Sequence, residues 1–144
     1  MKALVMGAAA LGLAMAAPAH AQSDPFVGGE YVEVTGVSVD DGHYLDYAKF
    51  LATSWRDEQE FAKSQGWISS YDVLANVHKR RGEPDLYLVI RYKALPDGAE
   101  SERRATLFRQ HAKQSEMQLE SASGDRAKFR HIEGTQLRQV LNFK

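Results

Sequence analysis

The chain contains no cysteine. That excludes disulfides, thiolate–metal sites and cysteine nucleophiles, so the core must hold the fold unaided. It also lacks any excess of positive charge, with 18 Lys and Arg against 19 Asp and Glu. Nucleic-acid binders usually present a net basic face, and the lone basic run, Lys79-Arg80-Arg81, falls at a turn where solvated charge is the ordinary explanation. There is no low-complexity segment and no internal repeat. No Gly-rich phosphate loop is present either, because Gly28-Gly29 precedes a strand without a following helix. Ser69-Ser70 lacks the strand–turn–helix elbow of a serine hydrolase.

Long apolar runs are missing except at the start. "MKALVMGAAALGLAMAAPAHAQ" places Lys2 before an apolar run from Ala3 to Ala17, then Pro18 and the small-x-small triplet Ala19-His20-Ala21. This is the layout of a secretory signal peptide cleaved after Ala21. The run is too short, and too rich in Ala and Gly, to span about 30 Å of hydrocarbon. Its "AHAQ" ending resembles Gram-negative signal peptides, so the expected location is the periplasm, with no membrane anchor after cleavage. The mature chain keeps a near-even charge balance. Its length suits one domain that buries roughly two-thirds of its unfolded surface.

A polar leader, residues 22–30, is expected before the first strand, Tyr31 to Val39, which is rich in β-branched residues. From His43 to about Gln65 the residues Tyr44, Tyr47, Ala48, Leu51, Trp55, Phe61 and Ala62 recur at helical spacing, and Gly66 follows as a helix-ending glycine. Ser70 to Lys93 then reads as two strands joined at Arg81-Gly82-Glu83-Pro84. Pairing about that turn puts Val77 beside Leu88, Ala75 beside Ile90 and Val73 beside Tyr92. The other face pairs His78 with Tyr87, Asn76 with Val89, Leu74 with Arg91 and Asp72 with Lys93. A second helix begins after Pro96-Asp97-Gly98, with Ala105, Phe108, Ala112 and Leu119 inward. Ser121 to Asp125 is expected to interrupt it, and Gly134 to Lys144 forms the last strand. The order strand, helix, strand, strand, helix, strand predicts a ferredoxin-like α+β fold, a four-stranded antiparallel sheet with two helices on one face.

The helix end "FAKSQGWISSYDVL" and the hairpin "GEPDLYLVIRYK", in a domain of this length, resemble the dimeric α+β barrel proteins. These include the antibiotic-biosynthesis-monooxygenase-like, stress-responsive A/B-barrel and NIPSNAP-like groups. The resemblance implies a homodimer whose open sheet faces close a barrel around a small cavity. It does not select a chemistry, since members range from cofactor-free oxygenases to proteins of no established activity. It also implies that Val73, Ala75, Val77, Leu86, Leu88 and Ile90 lie under the helices. The mixed face, joined by Arg138, Val140 and Asn142, then meets the partner.

On that face the expected ligand-binding set is Asn76, His78, Tyr87, Arg91 and Arg138, suited to a small aromatic or carboxylated molecule. His78, with Asp72 or Tyr87, is the candidate for proton transfer near neutral pH, against the plainer reading of a strand-end histidine without a role. Arg91 and Arg138 could clamp a carboxylate, or could pair with Asp72 or Glu33. No cofactor is expected. Haem, the minor alternative, would need a histidine such as His43 in a deep apolar pocket. The mature histidines, His43, His78, His111 and His131, lack metal-site spacing. The aromatic residues Tyr44, Tyr47, Trp55 and Trp67 read as core and interface anchors. The function expected is binding of a small organic ligand under the open sheet face. The alternatives are a cofactor-independent enzyme using His78 and a structural or stress-related dimer.

Overall fold

The computed structural model describes residues 24–144. The expected signal peptide and its cleavage point lie outside the described residues. The elements are β1 (Phe26–Val39), α1 (Tyr44–Phe50), a π-helical turn (Leu51–Trp55), α2 (Arg56–Ser64), β2 (Ser70–Ala75), β3 (Leu86–Tyr92), α3 (Gly98–Ala112), α4 (Glu116–Arg126) and β4 (Arg130–Phe143). The four strands form one open antiparallel sheet in the order β2-β3-β1-β4. The class is α+β, compatible with a ferredoxin-like arrangement, although the second connection carries two helices and the first is interrupted by the π turn.

Local chemistry sets the helix boundaries. Gly66 sits at φ +71°, a conformation a side chain disfavours, and lets two carbonyls of the last turn of α2 be capped. The Gly66 N–H donates to Lys63 and the Trp67 N–H to Ala62, both at 3.0 Å. Asp97 opens α3 by accepting from the Glu100 N–H at 2.8 Å. The expected interruption at Ser121 to Asp125 is not found, for α4 runs through it. The break comes earlier. Lys113 takes a left-handed conformation and Ser115 starts α4 with a capping box to Gln118.

One sheet face carries the core. Val37, with no exposed surface, and Leu86 pack against Tyr47, Leu51 and Trp55, with Tyr71, Leu88 and Phe129 around them. Trp55 meets Tyr71 edge to face at 5.4 Å between ring centres, and Phe61 meets Trp67 the same way at 5.3 Å. The two helical segments α2 and α3 are tied by His111, which stacks on Phe61 and reaches Asp57 at 2.8 Å.

The strand register differs from expectation by four residues. Val73 pairs with Leu88, Ala75 with Leu86 and Leu74 with Tyr87. An even slip leaves each residue on its expected face but moves Val77 and His78 out of the sheet altogether. The reason is that residues 76–85 are pinned elsewhere. The Asp85 N–H donates to the Val37 carbonyl, and the Asp85 carboxylate accepts from the Val39 N–H, both at 2.9 Å. Lys79 closes the loop onto Asp85 at 2.8 Å. A tight hairpin at 81–84 would break these links. Val77, expected under the helices, is instead 82 % exposed.

β1 also starts earlier than expected, at Phe26. Phe26 to Gly28 pair only with Leu141 to Phe143, so a two-stranded ribbon projects beyond the point where β3 ends. A register shift between Gly28 and Tyr31 marks its base. β4 likewise begins at Arg130 rather than Gly134, with a second irregularity where Gly36 gives way to Val37.

Leu86→Ala should cost about 2–5 kcal/mol of unfolding free energy, the usual range for emptying a packed leucine site. Val77→Ala should change it by less than about 0.5 kcal/mol. Urea titration of the two variants checks this, and equal losses would restore the register expected from the sequence.

Candidate functional site

The sheet face opposite the helices is open, and it carries a recess of about 610 Å³. Small-molecule sites typically fall within about 300–1,000 Å³. Its floor is Val34 and Gly36 of β1, with Tyr87 of β3 on one side and Gln136 and Arg138 of β4 on the other. Pro84, at the end of the pinned loop, forms a wall. A β-carbon built on Gly36 would lie 2.6 Å from the Pro84 ring, so only glycine lets the loop fold down onto the sheet there. Glu133 lines the far end.

The expected site residues separate into three groups. Arg138 and Tyr87 line the recess. Arg91 and Asp72 lie on the same face but satisfy each other at 2.7 Å, and Arg91 also reaches Ser70 at 3.3 Å. This pairing is one of the two readings the sequence left open for Arg91, and it takes that guanidinium out of use. Asn76 and His78 are not in the strand as expected. Asn76 braces the loop, donating to Glu83 at 3.2 Å and to the Pro84 carbonyl at 3.1 Å. His78 is exposed in the turn after β2, not opposite Tyr87 and not among the residues lining the recess. The even register slip explains why the faces agree while this one residue is displaced.

Arg138 is the remaining cation of the expected set. Its guanidinium donates to Gln136 and forms no ion pair among the described residues. Glu133, five positions earlier in the strand, lines the same recess but forms no ion pair with Arg138 among the described residues. Gln136 was legible by alternation with Arg138 but passed unnoticed, being uncharged. Val34 and Pro84 came to the site through β1–β4 pairing and loop docking, which no local pattern announces.

The other histidines serve joints between elements. His43 stacks on Phe129 with ring centres 5.0 Å apart and faces Asp46 at 3.3 Å. His131 meets Asp40 at 2.9 Å. Among the described residues no three His, Asp or Glu side chains converge as metal ligands would, and no helix is long and apolar enough to cross a membrane. On the helix face, burial and then the Glu33 carboxylate push the Tyr92 phenol up to about 12. It lies across the sheet from the recess, alternating with Arg91.

Comparison with protein-family profiles, curated proteins and solved structures finds no match to this chain.

The loop wall titrates. Hydrogen bonding from Lys79, then from the Val39 N–H, holds the Asp85 carboxyl below its usual range despite some burial. A lowered folded-state value means that the contribution is present above the unfolded-state value, about 3.9, and is lost as pH falls through the folded one. Amide protection factors at Val39 and Asn76 should therefore hold steady from neutral pH to about 4 and fall below it. In Asp85→Asn the fall should vanish and protection should be lower throughout; an unchanged profile would remove Asp85 as the pin.

Proposed function

We propose that two copies of this chain pack their open sheet faces together, as in a ferredoxin-like dimeric α+β barrel, and hold a small carboxylated organic molecule in the recess between them. The observation that carries this reading is the Arg138 guanidinium, without an ion pair among the described residues, lining with Tyr87 a recess floored by Val34. A guanidinium can take a carboxylate through two parallel hydrogen bonds, and a flat apolar floor suits an aromatic body.

Two features support the second copy. Leu74 and Val140, both on the open face by alternation, are 50 % and 41 % exposed. The projecting β1–β4 ribbon exposes Val27 on the same face, and Leu141 and Phe143 on the opposite one. Exposed apolar side chains on an open sheet face are the kind of surface a partner covers. Export to the periplasm, inferred from the first 21 residues, is part of the same proposal and fits a cysteine-free chain. Proton transfer by His78 has less support, since that ring lies off the recess lining.

Native mass spectrometry of the protein purified under mild conditions tests the reading. The expected species is a dimer with a reproducible added mass that Arg138→Gln removes. A bare dimer with or without Arg138 would favour the structural role instead. Leu74→Glu and Val140→Glu should give monomers at micromolar concentration by sedimentation, while Glu102→Ala stays dimeric. Val89 is unsuitable for this purpose, because at 4 % exposure it is buried within the protomer itself. Identical behaviour of all three variants would place the seam elsewhere.

A further inference from the structure

A second cavity, of about 460 Å³, lies on the other side of the sheet, between the first helical segment and the edge strand β2. Leu51, Trp55 and Leu86 form its base, and Tyr71 and Val73 of β2 form one wall. The opposite wall is a row along the helix: Tyr44, Ala48, Ala52 and Arg56, each four residues after the last. Two alanines between a tyrosine and an arginine leave a trough about two turns long, bounded by large side chains at both ends. The row spans twelve residues, on the order of 18 Å at 1.5 Å per residue.

The π turn is what keeps this row straight. In an α-helix every fourth residue drifts about 40° around the axis, since four residues overshoot one turn of 3.6. Three such steps would carry Arg56 far round from Tyr44. The wider i→i+5 turn from Leu51 to Trp55 reverses the drift for part of the row, and such turns recur at functional sites. Its two end residues, Leu51 and Trp55, are both buried in the cavity base.

Charge defines one end. Arg56 is the sole charged residue lining the cavity. It forms no ion pair among the described residues; its guanidinium reaches the Tyr71 hydroxyl, which itself donates to the Glu60 carboxylate, and keeps further donors for an anion. An apolar trough closed by a cation with no ion pair among the described residues fits an apolar chain ending in an anion.

We propose that this cavity binds a free medium-chain carboxylate, its chain lying over Ala48 and Ala52 and its head on Arg56. The site is separate from the recess on the open face and does not depend on the reading given to it.

Decanoate titrated calorimetrically into the full protein is the test. It should bind one molecule per chain, and octanoate should bind more weakly, by about fourfold for each methylene left unburied. Arg56→Gln should weaken decanoate on the order of tenfold, the effect of losing a hydrogen bond to a charged partner. Ala52→Leu, at an exposed position that tolerates bulk, should block the trough while leaving the melting temperature in place. Decyltrimethylammonium, with the same tail and opposite head, should bind at least tenfold more weakly than decanoate. Arg138→Gln should leave decanoate affinity where it is. Absence of decanoate binding, equal affinity for the cationic analogue, or full affinity in Ala52→Leu would each overturn the proposal. So would loss of binding in Arg138→Gln, which would move the carboxylate to the open face.

Discussion

β1 is paired on both edges, and the remaining features hang from that. Tyr31 to Val37 pair with β3 on one side, and nearly the whole strand pairs with β4 on the other. Val37 is the most deeply buried side chain of the core, and its carbonyl also takes the Asp85 N–H that pins the loop after β2. One residue thus anchors the helix layer by its side chain and the wall of the open-face recess by its backbone. Gly36, its neighbour, makes the opposite surface thin enough for Pro84 to rest on it. Two adjacent positions therefore shape both sides of the sheet.

The two cavities are consequences of that asymmetry. On the helix face, apolar contacts are dense at Val37 and Leu86 and thin out toward β2, because an edge strand has helix cover on one flank only. On the open face there is no helix, and the recess depends on a docked loop and on the side chains of β4. Each cavity is lined by one arginine that forms no ion pair among the described residues, Arg56 and Arg138, whereas several other arginines meet carboxylates or rings. Arg103 and Arg104 share Glu100, whose carboxyl their hydrogen bonds hold down at about 2. Arg91 meets Asp72, and Arg126 lies 4.0 Å over the Phe50 ring.

Much of this was readable in the amino-acid order, and what was not has identifiable causes. Alternation within 70–93 assigned Leu86 to the core and Asp72, Tyr87 and Arg91 to the other face, because a period of two survives an even register error. Gly66 and Asp97 marked helix ends because their roles are local. The register itself was hidden, since it is set by Asp85 bonding to Val37 and Val39 across the sheet, not by the turn residues between the strands. Gly28 and Gly29 disguised the start of β1, as glycine is depleted in strands and the pairing there comes from β4. Lys113, a left-handed residue with a side chain, disguised the helix break that Ser115 then caps. Arg138 was found by alternation alone. Arg56, one more charged residue on a helix, stood out only once the π turn aligned it with Tyr44.

The pairing of β1 with β4 also sets an order of events in time. The Thr35 and Thr135 hydroxyls touch at 2.9 Å although they are a hundred residues apart in sequence. Contacts between distant parts of a chain are slow to form, because closure of the intervening loop must precede any gain from them. As the polypeptide is synthesised, its central strand emerges among the first elements and its second neighbour last. Until β4 has been made, β1 can be only half paired and the sheet has no lasting outer edge. The native state is therefore reached late and all at once, only when the last strand closes onto the first.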